Sequence, residues 1–193
     1  MSGTDSLPRV PDTAYRAHET AIIEDGAAIG TGTAAWHHVH IRDGARVGEQ
    51  CVLGKNVFVD AGAVIGDRVK VQNNVSVYSG VSIADDVFVG PAAVFTNDRV
   101  PRAFNTAWSI SPTFVEQGAS IGANATVVCG TRIGSYAMVA AGATVTQDVA
   151  AHQLVAGTPA RHHGWVCTCG QIVSRDSDRP SHLTCADCEE ARR

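Results

Sequence analysis

Apolar residues recur along this chain at intervals of six. Ile23, Ile29, Ala35, Ile41, Val47, Leu53, Val59, Ile65, Val71, Val77, Ile83, Val89 and Phe95 each follow the last by six, and the series resumes at Val115, Ile121, Val127, Ile133, Val139 and Val145. Four residues after many of these anchors stands a second small or apolar residue, as at Ala45, Cys51, Val57, Ala63, Val69, Val75, Val81 and Val87. A helical face would recur every 3.6 residues and a strand face every 2. A period of six with two inward positions suits a short extended segment followed by a turn. Three such sides make a triangular coil of eighteen residues, in which side chains eighteen apart stack at the interstrand spacing of about 4.8 Å. A unit too short to bury its own face must stack on copies of itself. The pattern predicts an all-β parallel β-helix, with the nineteen anchors making about six coils. A right-handed β-helix, with longer and less regular coils, is the structural alternative.

Composition fits a core built from small aliphatic side chains. Aromatic residues are only 6% of the 193, so Val, Ile and Ala must fill the interior. Branched Val and Ile lose little rotamer freedom in extended backbone. Residues 1–17 are polar, with Pro8 and Pro11, and read as a loose lead-in. The repeat domain spans 18–164, with one inserted loop at 96–114, and a Cys-rich appendix follows at 165–193. A net charge of −4 argues against a general nucleic-acid binder. No apolar run reaches the length of a membrane span, and the N-terminus lacks a basic start followed by an apolar stretch. A cytoplasmic protein is the expectation.

Four of the six cysteines crowd into the tail. Cys167 and Cys169 form a C-x-C-G element, and Cys185 and Cys188 follow fifteen residues later as C-x-x-C. Four thiolates would make a closed tetrahedral zinc site whose metal supplies the folding energy of a segment with little core. The alternative is a set of free or reversibly oxidised thiols, and His162, His163 and His182 stand near enough in sequence to replace a ligand. Cys51 falls on an inward position and reads as a small buried residue. His37, His38 and His40 invite a metal reading too, but no carboxylate or Cys recurs beside them, and packing or subunit contacts are the reading adopted.

The period fails once, between Phe95 and Val115. A regular coil ejects inserted residues as a loop, and loops on rigid scaffolds carry function. This one reads Thr96-Asn97-Asp98-Arg99-Val100-Pro101-Arg102-Ala103-Phe104-Asn105-Thr106-Ala107-Trp108. Polar groups, cations and aromatics together suit a ligand-contacting surface; a surface loop packed onto the coil through Trp108 is the plainer reading. Eighteen residues before Asn97 stands Ser79, so the two should be neighbours on adjacent coils.

Specific segments narrow this further. They are Val75-Ser76-Val77-Tyr78-Ser79-Gly80-Val81, Asp85 to Pro91, Val94-Phe95-Thr96-Asn97-Asp98 with Pro101-Arg102, Gly118 to Thr126, and Ala156-Gly157-Thr158-Pro159-Ala160-Arg161. Over residues 18 to 166 the chain resembles the hexapeptide-repeat acyltransferases, and within them the branch that N-acetylates nucleotide-linked 3-amino sugars. The resemblance implies a left-handed β-helix, a homotrimer, active sites between subunits, acetyl-CoA along the coils and a UDP- or dTDP-linked amino sugar near the loop. It also implies roles. Asn97 would hold the sugar beside its amine with Asp98 next to it as the catalytic pair, and Asn74, Tyr78, Ser79 and Arg102 would bind substrate. The family usually carries Glu where this chain has Ser79, which sets a glucuronate-type substrate in question.

Residue chemistry constrains the reaction. The amine must attack as its neutral form, and many acyltransferases use His as base. No His occurs between His40 and His152, so none lies on the coils flanking the loop. Asp98 and Glu116 are carboxylate candidates, but solvated carboxylates are weak bases. The route expected passes the proton to the departing thiolate or water, with the protein positioning the reactants. Gly122, Ala123, Ala140, Ala141 and Gly142 are small enough for a pantetheine arm to approach the backbone, or they fill tight corners. Arg161 would meet a coenzyme phosphate, or stand as a solvated surface charge. A sugar O-acetyltransferase, a β-helical carbonic anhydrase and a non-catalytic scaffold subunit are the rival functions; the first two lack the His they need in the middle coils.

Overall fold

The computed structural model describes residues 14–191, so most of the lead-in expected at 1–17 lies outside the described residues. Nearly every strand is two residues long, an outward residue followed by an inward anchor, as in Ile22–Ile23, Lys70–Val71 and Ser120–Ile121. Strands pair in parallel with the partner eighteen residues away, so Ile22, His40, Phe58 and Ser76 stack in one column. Three such stacks make three faces. The first runs from Arg16–Ala17 to Gln153–Ala156, the second from Ile22–Ile23 to Thr144–Val145, and the third from Ala28–Ile29 to Arg132–Ile133.

The inward anchors form one continuous core. Ile41, Leu53, Val59, Val71, Val77, Val89, Ile121 and Val127 are fully buried. Each buried aliphatic side chain contributes about 1.5–3 kcal/mol against exposure, and the stack repeats that gain at every level. Among the described residues, eight parallel strands on the first face give about eight turns, against about six expected. The difference arises at the two ends. Arg16–Ala17 pairs with Ala34–Ala35 ahead of the first anchor counted, and after Val145 the next inward residues are Val149 and Val155, where the six-residue step is broken.

The corners carry their own chemistry. Between the first and second faces, His38, Asn56, Asn74, Ala92 and Asn124 all take a left-handed conformation, a column favoured by Asn and open to few other residue types. Backbone N–H groups left over at the turns are capped by side chains one coil away: Asp67 accepts from Glu49, Asn73 from Lys55 and Asp85 from Asp67, at 2.8–2.9 Å.

The period's failure involves a single corner, between the second and third faces. Ser76 pairs with Val94 across eighteen residues, whereas Val94 pairs with Thr126 across thirty-two. Fourteen residues are therefore ejected, and the coil resumes in register. Gly80 lies beneath them at φ +87, where a Cβ would run into the Ile110 side chain, so position 80 requires glycine on both counts.

Beyond the last coil the chain reverses. Strand Arg161–Val166 pairs antiparallel with Gln153–Ala156, and Ile172–Ser174 pairs antiparallel with it in turn, extending the first face. A short helix, Ala186–Glu190, follows. No residue from Thr168 to Ala191 is buried. Among the described residues no helix is long and apolar enough to cross a membrane.

Candidate functional site

The ejected loop is fastened at its base. Thr96 Oγ1 accepts the Cys129 N–H at 2.9 Å, Arg99 Nη2 donates to the Cys129 carbonyl at 3.4 Å, and Ser111 N–H donates to the Asn97 carbonyl at 3.0 Å. Its outer part is open to solvent, with Phe104 82% and Trp108 49% exposed, so Trp108 is not packed away. Asn97, Asp98, Pro101, Arg102, Ala103, Asn105 and Trp108 line a shallow depression of about 500 Å³.

Ser79 and Asn97 meet as the eighteen-residue ruler requires. Asn97 Nδ2 donates toward the Ser79 carbonyl at 3.5 Å. The Ser79 hydroxyl turns the other way, toward the Ala61 carbonyl at 2.7 Å and Asp60 Oδ2 at 3.0 Å. Asp60 is the residue the sequence reading missed. Its carboxylate also accepts from the Ser79 and Ala61 N–H groups and from Arg42 Nη1 at 3.0 Å, and its side chain is only 16% exposed. Burial works to raise its pKa, but these hydrogen bonds outweigh burial and hold it below the ordinary range. A signal existed: Glu24 caps the N–H of Asp43, and Glu116 that of Ser135, both nineteen residues on, the same step as Asp60 to Ser79.

The two remaining loop candidates are engaged locally. Asp98 Oδ1 accepts the Val100 N–H at 2.8 Å, capping a turn, and Arg102 Nη1 folds onto the Pro101 carbonyl. Tyr78 is 38% exposed beside the loop corner and packs edge-on against Phe58 at 6.1 Å. Glu116 lies at a different corner, between the third and first faces. There Arg132 and Ser135 bind it and hold its pKa down, which leaves it a poor base.

The other predicted residues gather along the corner between the first and second faces. Asn74 sits there, accepting from Asn56 Nδ2 at 2.9 Å, across the width of the second face from Ser79. Gly122, Ala123, Ala140, Ala141 and Gly142 occupy the C-terminal end of the same corner. A Cβ on Gly122 would run into the Ala141 backbone, so coil stacking alone demands glycine at that position. The turn Gly157–Ala160 closes over this end: Ala160 N–H donates to the Thr144 carbonyl at 2.8 Å and Thr158 Oγ1 to the Gly142 carbonyl at 3.4 Å. Arg161 leaves that turn and, with His162 and Asp148, borders a small cavity of about 110 Å³. One chain thus places the loop and the small-residue corner on opposite edges of the second face.

The three early histidines do not converge. His37 stacks on His18 at 3.5 Å, His38 takes the left-handed turn position, and His40 bonds Glu24 at 2.8 Å. The tail cysteines do converge: the sulfur atoms of Cys167, Cys169, Cys185 and Cys188 all lie within 4.8 Å of one another, and among the described residues no other His, Cys, Asp or Glu group is arranged so. Bonds to Cys169, Cys185 and Cys167 push the Cys188 thiol up to about 12. Cys51 is fully buried, as expected of its inward position.

Comparison with known proteins follows the same outline. The profile for the hexapeptide repeat of succinyl-transferase matches residues 20–60 and 44–79, and that for the bacterial transferase hexapeptide (six repeats) matches 62–97 and 112–147. The stretch they pass over, 98–111, coincides with the ejected loop. The chain is 52% identical over 61 residues to a dTDP-3-amino-3,6-dideoxy-α-D-galactopyranose 3-N-acetyltransferase of Aneurinibacillus thermoaerophilus, covering 32% of each. It is 47% identical over 76 residues to a 2,3,4,5-tetrahydropyridine-2,6-dicarboxylate N-acetyltransferase of Staphylococcus aureus, covering 39% of this chain and 29% of that protein. The chain therefore matches about a third of the length of these relatives. Among solved structures, a hexapeptide-repeat acetyltransferase of Vibrio cholerae complexed with acetyl coenzyme A superposes with a TM-score of 0.56 at 28% identity, over 63% of this chain and 70% of that one. PerB of Caulobacter crescentus, in complex with CoA and GDP-perosamine, superposes with a TM-score of 0.51 over 79% of this chain and 58% of that one; at 19% identity it speaks for the fold alone.

Proposed function

The chain belongs to the hexapeptide-repeat transferases, and from that premise we propose that it is an acetyl-CoA-dependent N-acetyltransferase acting on a nucleotide-linked amino sugar, UDP or dTDP. The observation that carries this reading is the fastened loop, with Asn97 beside Ser79 over a half-buried Asp60 and an open depression beside it. The dTDP-sugar relative and the coenzyme-bound neighbour support the substrate classes.

The site takes two protomers. The loop and the small-residue corner bound the second face on opposite edges, so a closed threefold ring with that face inward would set one protomer's loop beside the next protomer's corner. Ile22, 58% exposed, and Val94, 47% exposed, point outward from the second face and supply apolar surface for a homotrimer. In that arrangement Asn74 serves the neighbour's loop, together with Gly122, Ala123, Ala140, Ala141, Gly142 and Arg161 along the coenzyme.

The chemistry is aminolysis of a thioester. The amine lone pair forms the new C–N bond, the tetrahedral oxyanion is met by backbone N–H groups, and collapse breaks the C–S bond. The proton leaving nitrogen passes to the departing thiolate, so amide and free thiol balance the reaction. The chain's part is to position the reactants, Asn97 at the amine and Tyr78, Ser79 and Arg102 around the sugar and its charge. Such substrates place the enzyme in the cytoplasm. We further read the four-sulfur cluster of the tail as a structural zinc centre, with no open coordination position for catalysis.

The test is release of free thiol from acetyl-CoA in the presence of UDP- and dTDP-linked 3- and 4-amino sugars. Turnover on at least one is expected. No turnover on any, with no coenzyme binding by calorimetry, would sink the reading.

A further inference from the structure

The tail holds together without a core. From Thr168 to Ala191 nothing is buried, and its helix Ala186–Glu190 has five residues, no buried residue and no side-chain N-cap. A helix that short does not persist on its own propensity. Yet its first turn delivers Cys188, and the residue before it Cys185, to within 4.8 Å of Cys167 and Cys169. A tetrahedral zinc with Zn–S of about 2.3 Å separates its sulfurs by about 3.8 Å, within the 4.8 Å that bounds this cluster. Cys169 and Cys185 Sγ atoms stand 3.4 Å apart, and all six cysteines are unpaired, so no disulfide takes the place of the metal.

What the cluster fastens is continuous with the coenzyme end of the proposed site. Strand Arg161–Val166 carries Arg161 at one end, and Cys167 follows directly at the other. The same tail reaches back along that strand. The Asp176 carbonyl accepts from His162 Nε2 at 2.8 Å and from Trp165 Nε1 at 3.1 Å, and Arg175 Nη1 donates to the His163 carbonyl at 3.4 Å. Gln153 Nε2 holds the other ring nitrogen of His162 at 3.1 Å. His162 and Arg161 together form one wall of the cavity at the end of the coil. If residues beyond Cys167 came loose, His162 would lose the Asp176 carbonyl and keep only its coil-side hold on Gln153, while the β-helix core stayed intact.

We infer that a zinc ion on Cys167, Cys169, Cys185 and Cys188 clasps the tail to strand Arg161–Val166 and thereby fixes the Arg161–His162 wall that receives the coenzyme's phosphates. The inference rests on the coenzyme reading of this corner, and its experiment separates the two. Full-length protein expressed with zinc is assayed for metal content, stripped with a thiol-competing chelator, and titrated with coenzyme A by calorimetry in both states; Cys188→Ser is titrated in parallel. About one zinc per chain is expected. On stripping, and in Cys188→Ser, the dissociation constant for coenzyme A should rise at least tenfold, with the thermal transition of the β-helix unmoved and the tail newly open to protease. Equal affinity in loaded and stripped protein overturns the clasp. Absence of zinc overturns the metal site. No coenzyme binding by loaded protein overturns the functional reading and the clasp with it.

Discussion

The Ser79 hydroxyl donates to the carboxylate of Asp60 at 3.0 Å, from one coil to the next and directly behind Asn97. This places a charged, hydrogen-bonded anchor under the loop without exposing it to substrate. On the proposed reading Asp60 acts through Ser79, as a positioning residue. Replacing it with Asn keeps the shape and removes the charge that orders four donors, with a loss of about tenfold in kcat/KM, near 1.4 kcal/mol. The loss should fall on the KM for the amino sugar, with the KM for acetyl-CoA unchanged. Equal changes in both would mean that Asp60 serves the fold alone.

Asn97 is tied to the loop base at two points, its carbonyl accepting from Ser111 N–H and its amide reaching toward the Ser79 carbonyl. Asn97→Ala should leave the oligomer intact by sedimentation and lower turnover about a hundredfold, the scale of a lost positioning contact. Unchanged kinetics would return the loop to a surface ornament.

Much of this was legible from the six-residue period. The inward column Ile41, Val59, Val77 is buried as the pattern requires, and the stacking of Ser79 under Asn97 followed from counting eighteen. Other features were hidden for physical reasons. The turn count fell short because Ala17 stands before the first anchor counted and because the step shortens between Val145 and Val149. Asp60 was overlooked because its partner stands nineteen residues on, at a corner where side chains cap backbone and no apolar period marks them. Nothing in the cluster His37, His38 and His40 marks His38 as the residue that fills a left-handed turn. That Asn74 and Ser79, five residues apart, belong to different edges of the prism becomes visible only when the three faces are assigned.

Gly80 couples the coil to the loop, since it is left-handed and lies against Ile110. Gly80→Ala should destabilise by about 1–2 kcal/mol through the positive φ, with a further loss from the collision. Adding Ile110→Ala should recover the collision part and leave the conformational part. Thermal melts of the two single variants and the double variant measure this, and strict additivity would deny the contact.

Acid should loosen the loop corner. The folded-state pKa of Asp60 lies below its ordinary value near 3.8, so its stabilising contribution is complete above that value and is lost as pH falls through the folded one. Glu116 and Asp86, held down by Arg132 and Arg68, behave the same way. Melting temperature should therefore hold level near neutrality and drop below about pH 4. In Asp60→Asn the drop should be shallower, and a drop as steep as in the parent would assign it to the other carboxylates.

The proposed sharing of a site between protomers is tested by a pair of variants that no single variant replaces. Asn97→Ala disables a loop, and Gly142→Trp blocks the small-residue corner, where position 142 is left-handed and solvent-facing. Each variant alone should be nearly inactive. Unfolding an equal mixture and refolding it together redistributes the chains among the proposed trimers. If a site pairs one protomer's loop with its neighbour's corner, about a quarter of the sites combine an intact loop with an intact corner. Turnover should return to about that fraction of the parent's, and only after co-refolding, not after simple mixing. Should co-refolded protein stay as inactive as its parts, the loop and corner of one chain would serve the same site, and the reading of a site shared between protomers would fall.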